Sequence, residues 1–293
     1  MAVLAAFVYG GVPNFARMAF LNGVPALESV FFRTTAVAVV LGLFALLRGE
    51  RFALTRAALP AFIFQCAATL MVSACYLASL QYLPVTLSVI LFYTFPVIVL
   101  LSAPLIEGQL PHWTRFAIAL LGFAGLYVAV GPAFDQVRPL GIVLALFGAL
   151  GCALQFFSGR MLSRHLKPAA FGSLVHLAIL PFVLAMALGF GGGKLVLFGS
   201  EALGPHALIA VIMVCLTYIG GYFFHMSSVK AAPASIVAPF FNIEPIVTTA
   251  IAVFVLKETM TQSQWLGGAM VFASLVAASL LPGGSKTKPL QAT

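Results

Sequence analysis

Charge is what this chain has least of. Asp, Glu, Lys and Arg make up 8 % of its 293 residues, against about a quarter in a typical soluble domain. A chain so poor in charge cannot cover a surface facing water, which excludes an ordinary soluble globule. Acidic residues are scarcest, seven against fifteen basic ones, and the single aspartate is Asp135. Paired aspartates are thereby excluded. With no HExxH and no GxSxG motif either, the chain offers no constellation for intramembrane hydrolysis or acyl transfer. The reading is therefore not an enzyme. Cysteine is also sparse. Cys66, Cys75, Cys152 and Cys215 all lie inside apolar runs, and no pair has metal-ligand spacing. They read as small packing residues, and neither a metal nor another cofactor is expected. No basic segment precedes the first apolar run, so a cleaved signal peptide is not expected.

Apolar sequence is abundant: 62 % of residues are hydrophobic, with a mean hydropathy of +1.11. The runs are continuous rather than alternating, which disfavours a β-barrel. At about 20 residues per crossing, they predict ten spans, near 2–21, 26–47, 58–80, 84–106, 112–131, 139–160, 170–190, 205–228, 233–256 and 263–282. Turn chemistry marks the breaks: Asn22-Gly23-Val24-Pro25, Gly131-Pro132, Pro139 and Gly191-Gly192-Gly193. The formal net charge of +8 comes from short basic clusters between apolar runs, so a lipid bilayer rather than a nucleic acid is the expected partner. With a cytoplasmic N-terminus, ten basic residues fall in cytoplasmic loops and three (Arg138, Lys194, Lys257) on the other side. This bias predicts that both termini are cytoplasmic.

Two segments are imperfect copies. PVTLSVILFYTFP (84–96) and PASIVAPFFNIEP (233–245) run from proline to proline over the same step. Each leads through an apolar stretch to a lone glutamate, Glu107 or Glu258, then to Trp113 or Trp265 and another apolar run. The copies divide the chain into units 1–131 and 139–282, with a polar, disordered tail at 283–293. Five spans per unit is an odd number, so the halves insert in opposite orientations, as in carriers that expose one central site to each side in turn. The predicted fold is an all-α integral membrane protein, ten helices in two inverted five-helix repeats.

Small residues predict close packing at Thr34, Ala38 and Gly42 and along Ala269, Ala273 and Ala277. Pro13, Pro96, Pro181, Pro239 and Pro245 predict kinks, with Pro96 and Pro245 equivalent in the repeat. Trp113 and Trp265 read as interface anchors. Polar residues inside apolar helices are costly and tend to face a cavity or a partner helix. Glu244 lies mid-span beside Pro245 and is suited either to binding an ammonium group or a proton, or to a structural, protonated role. Helical spacing places Gln65, Thr69, Ser73 and Tyr76 on one inward face, and Tyr218, Tyr222 and His225 on another. Gln155, Phe92, Tyr93, Phe241 and Asn242 complete the candidate substrate-binding set. A helix–helix hydrogen bond competes with this role at each polar position. His176 reads as a satisfied buried group. Arg17 and Arg33 lie toward the outer ends of their spans, where each can snorkel to the interface; Arg33 is also placed to pair with Glu28 or to line the outer mouth.

The chain resembles the EamA-type carriers of the drug/metabolite transporter superfamily. The resemblance is carried by FFRTTAVAVVLGLFALL (31–47), by YTFPVIVLLSAPLIEGQLPHWTRFAIALLGFAGLYVAVG (93–131) and, more closely, by IEPIVTTAIAVFVLKETMTQSQWLGGAMVFASLVAAS (243–279). Glu107-Gly108 and Gln109-Leu110-Pro111 depart from the family pattern in the first half. The resemblance implies transport, a bacterial inner-membrane location and a central cavity. The aromatic wealth and the FYTFP stretch are most similar to bacterial amino-acid exporters, including those for aromatic amino acids. The expectation is thus a monomeric exporter of small metabolites, aromatic and other apolar amino acids above all, working by alternating access. The alternatives are an exporter of lipophilic cations or drugs and, outside the class, a membrane enzyme or scaffold.

Overall fold

A computed structural model describes residues 1–107, 113–130, 138–190, 193–199, 203–232, 237, 240, 241 and 243–280. The tail, Asp135, Pro239, Asn242 and the turns at Gly131-Pro132 and Gly191-Gly192 lie outside the described residues. All regular structure among them is helical. Runs that are apolar on every side give helices because a lipid-facing backbone must satisfy its hydrogen bonds internally. Among the described residues, six helical segments are long and apolar enough to cross a membrane: Ala2–Leu21, Ala26–Leu47, Arg56–Ser79, Pro139–Leu162, Pro168–Phe190 and Ala207–Ala231. At most half of each apolar window is buried inside the protein. The outer faces carry Phe7, Leu47, Phe64, Phe182, Phe190 and Leu208, all exposed. An exposed belt of this kind is stable only against lipid.

The first span is two helices, α1 (Ala2–Tyr9) and α2 (Val12–Leu21). Pro13 sits in the first turn of α2, where its missing N–H costs nothing. The Asn14 amide spans the break, donating to the carbonyls of Gly10 and Thr248, each at 3.1 Å. A Cβ at Gly10 would stand 2.7 Å from Val247 Cγ1, so only glycine permits this approach. Next, α3 (Ala26–Leu47) packs along α10 (Pro168–Phe190). Ser173 Oγ donates to the Ala38 carbonyl at 2.7 Å, on the small-residue face expected of Thr34, Ala38 and Gly42.

The third span runs α4 (Leu59–Met71), one π-helical turn (Val72–Tyr76) and α5 (Leu77–Ser79), against α9 (Pro139–Leu162). Gly148 of α9 receives the bulge, since a Cβ there would lie 2.7 Å from Tyr76 Cβ. The fourth run expected to span breaks at Tyr93-Thr94 into α6 (Val85–Phe92) and α7 (Phe95–Glu107). Pro96 therefore opens a new helix rather than bending an old one. Every residue of α6 is buried.

Then come α8 (Trp113–Val130), α11 (Ala207–Ala231), α12 (Ile243–Phe254) and α13 (Gln262–Leu280). Trp113 and Trp265, near the starts of α8 and α13, are exposed. The packing of α13 corrects the sequence reading. Ala269 and Ala273 are exposed, not packed. The contact with α8 runs along Gly267, Val271 and Ser274 instead; a Cβ on Gly267 would sit 2.4 Å from the Gly125 carbonyl. The right period was read on the wrong face.

Candidate functional site

The helix breaks converge on one cavity of about 40 Å³, room for a few water molecules. Its wall takes Tyr9 and Pro13 from the α1–α2 break, Arg33 from α3 and Tyr76 from the π-turn. Phe92 and Phe95 flank the α6–α7 break; Gln155 comes from α9, Tyr218 and His225 from α11, and Phe241 and Glu244 from the start of α12. A broken helix presents side chains and freed backbone groups that a continuous one directs elsewhere. The π-turn acts in the same way, because its extra residue rotates Tyr76 relative to α4.

Aromatic and imidazole rings make up about half of the wall. Tyr76 stacks on Phe92 with centroids 4.1 Å apart and planes 18° from parallel. His225 contacts Phe156 at 4.5 Å and Phe241 at 4.7 Å, and Tyr9 lies 6.0 Å from Tyr218. Two ionisable side chains interrupt this apolar box. Glu244, 7 % exposed, lies against the Tyr93 hydroxyl, which donates to the Phe241 carbonyl at 3.0 Å. Arg33, 1 % exposed, lays its guanidinium 3.9 Å over the Tyr218 ring. Among the described residues, its Nε and Nη2 have no hydrogen-bond partner, nor do Tyr76 Oη and His225 Nε2.

The two inward stripes are buried as their spacing required. Tyr76, Phe92, Gln155, Tyr218, His225, Phe241 and Glu244 line the cavity; Gln155 also donates to Thr69 Oγ1 at 2.9 Å. Gln65, Tyr93 and Tyr222 do not line it. Gln65 accepts from Ser158 Oγ at 2.6 Å and donates to Tyr222 Oη at 3.3 Å, a knot between α4, α9 and α11. Both partners are spent on helix–helix bonding, the competing role that spacing alone cannot separate. Tyr93 stands behind the wall and props Phe241 and Glu244. Asn242 lies outside the described residues.

The largest correction concerns Arg33. It neither snorkels nor pairs with Glu28. The Glu28 carboxylate accepts from the N–H groups of Leu197 at 2.7 Å and Val196 at 2.8 Å, at the head of a 3₁₀ turn. The signal was available: Arg33 stands seven residues beyond the start of α3, about 10 Å deep at 1.5 Å per residue, which is far for snorkelling. Tyr9 had a weaker signal, the adjacent Gly10-Gly11. Arg17 is half-buried and donates through Nη1 to the Leu80 carbonyl, just past the end of α5.

Glu258 joins the end of α12 to the start of α6, accepting from Val85 N–H at 2.8 Å and Thr86 N–H at 3.1 Å. Beside it a second, more open cavity of about 330 Å³ is lined by Arg17, Leu21, Pro84 and residues 256–259.

Comparison with known proteins places this architecture. The model of the EamA-like transporter family matches residues 1–131 and 139–280. An uncharacterized transporter of Archaeoglobus fulgidus is 28 % identical over 209 residues, spanning 70 % of this chain and 71 % of that protein. The uncharacterized transporter YwfM of Bacillus subtilis is 24 % identical over 202 residues, 65 % of this chain and 66 % of that one. A solved crystal structure superposes with a TM-score of 0.64 at 18 % identity, covering 96 % of this chain and 99 % of the other. At that identity the likeness concerns the fold.

Proposed function

The chain belongs to the EamA-like transporter family, and from that premise we propose that it exports small amphipathic amino acids, aromatic ones foremost, across the bacterial inner membrane. It is a multi-pass membrane protein, and the family and the relatives' names indicate a transporter rather than an enzyme. The finer reading rests on one observation: an aromatic cavity at the meeting point of the broken helices holds both an acid, Glu244, and a base, Arg33.

A zwitterion presents an ammonium and a carboxylate on one carbon, and an aromatic amino acid adds a ring. The ammonium matches Glu244 and the ring faces around it. The side chain matches Tyr76, Phe92 and Phe241. An exporter of lipophilic cations has use for Glu244 but is opposed by a buried arginine in the same wall. At about 40 Å³ the cavity is too small for an amino acid, so loading requires the walls to part.

The proposed motion is alternating access by two inverted five-helix halves, with both termini cytoplasmic. The packing supports it. With the spans counted from one to ten, α1 of the first packs on α11 of the eighth, and α4 of the third on α9 of the sixth. A shift of five exchanges these two pairs. The same shift returns α3 on α10, α6 on α12 and α8 on α13 to themselves.

The test is uptake of labelled L-phenylalanine into liposomes holding the pure protein, with and without a pH gradient. Saturable uptake competed by other apolar amino acids is expected. Uptake of a lipophilic cation such as tetraphenylphosphonium, unaffected by amino acids, would overturn the substrate assignment.

A further inference from the structure

We propose that Arg33 is the anchor for the substrate's carboxylate, and that Tyr218 and His176 hold it in position. The inference deepens the amino-acid reading and rests on it for the identity of the ligand; a small organic anion is all that the arginine itself requires.

The two unpartnered groups of Arg33, Nε and Nη2, share one edge of the planar guanidinium. That edge matches the two oxygens of a carboxylate with parallel hydrogen bonds. It belongs to a side chain that is 1 % exposed and lines the cavity. One flat face is already used, lying 3.9 Å over Tyr218, and the Nε–Nη2 edge is left free for a ligand. Tyr218 is itself fixed. His176 Nδ1 contacts the Gly172 carbonyl at 2.7 Å and must carry the proton there. Its Nε2 is then an acceptor, and it receives the Tyr218 hydroxyl at 3.2 Å. A chain of contacts thus runs from the α10 backbone through His176 and Tyr218 to the guanidinium.

Among the described residues, no carboxylate forms an ion pair with Arg33. Glu28, one turn and a residue before it, is committed to Val196 and Leu197. Glu244 shares the cavity but forms no ion pair with it among the described residues. A buried charge without a counter-ion is expensive, and a ligand carboxylate removes that expense each time it binds. A charge kept for function in this way should cost stability, so its removal should not weaken the fold.

The experiment measures binding to the purified protein in nanodiscs by calorimetry, using L-phenylalanine, L-phenylalaninamide and 3-phenylpropionate. Wild type is expected to bind phenylalanine at least about tenfold more tightly than the amide. Arg33→Met should abolish that preference and melt at or above the wild-type temperature. Arg33→Lys, which keeps the charge but loses the fork, should recover part of the preference. His176→Ala should weaken phenylalanine more than the amide. If phenylalanine does not bind but 3-phenylpropionate does, and Arg33→Met removes that binding, the amino-acid reading fails while the anion anchor stands. Equal affinity of wild type for phenylalanine and its amide would overturn the proposal. So would a preference that survives Arg33→Met, or the binding of neither carboxylate. Should Arg33→Met not fold, the wild-type ligand series and Arg33→Lys decide the matter.

Discussion

The acidic residues at the helix ends and the charges in the central cavity are treated in opposite ways. Glu28, Glu50 and Glu258 each accept hydrogen bonds from backbone N–H groups in the first turn of another segment: Val196 and Leu197, Ala170, and Val85 and Thr86. These N–H groups have no intrahelical partner and sit at positive dipole ends, so the carboxylates staple one helix to the next. Arg33 and Glu244 staple nothing of that kind. Arg33 has two unpartnered donors, and Glu244 meets one tyrosine hydroxyl. The described peripheral carboxylates are satisfied, whereas Arg33 at the centre keeps two donors without a partner. On the proposed function the periphery maintains the fold, and the central groups are kept for a ligand that enters when the walls part.

That contrast predicts two kinds of failure. Beyond Arg33, the largest effect is expected at Glu244. Glu244→Gln keeps the shape and should cut phenylalanine transport about a hundredfold, some 2.7 kcal/mol, with a normal melting temperature. Full transport by this variant across the pH range would move Glu244 to the structural side. Glu28→Ala should do the reverse. It orphans two backbone donors and should cost about 2 kcal/mol of stability, read as a lowered melting temperature, with affinity retained in the folded fraction.

Gly148→Ala tests the boundary between the two regions. Its Cβ would press on Tyr76 at 2.7 Å, so the bulge must shift at a cost of about 1.5 kcal/mol. Because Tyr76 stacks on Phe92 in the cavity wall, affinity should fall together with stability; loss of stability alone would mean that the π-turn is only a packing device. The smallest effect is expected of Tyr222→Phe. Gln65 keeps its bond to Ser158, so the cost should be about 0.5 kcal/mol, with transport unchanged. A marked transport defect there would return Gln65 and Tyr222 to the binding site.

Six spans were legible because twenty-residue apolar runs admit few other readings, and the α6–α7 break was legible in Pro96. The α1–α2 break was only half legible: Pro13 flagged it, while Asn14, which bonds both Gly10 and Thr248, gave no sign in the sequence. The inward faces carrying Gln65 to Tyr76 and Tyr218 to His225 followed from helical spacing. Spacing fixes a face but not what that face meets, which is why Gln65 and Tyr222 were placed in the cavity and belong to a helix–helix knot. Beyond its depth, the place of Arg33 is not legible in the sequence, because a basic residue toward a span end suits the interface, an ion pair or a mouth, and its partner ring lies on a helix almost two hundred residues later. The stripe of Ala269 and Ala273 shows the same limit: small residues permit close packing, but the partner helix decides which of them are used.

The most direct measurement is a structure of the protein with L-phenylalanine bound. The account predicts the carboxylate at about 3 Å from Nε and Nη2 of Arg33, the ammonium on the Glu244 side and the ring among Tyr76, Phe92 and Phe241. A ligand seated away from this cavity, or held in it with its carboxylate turned from Arg33, would contradict it.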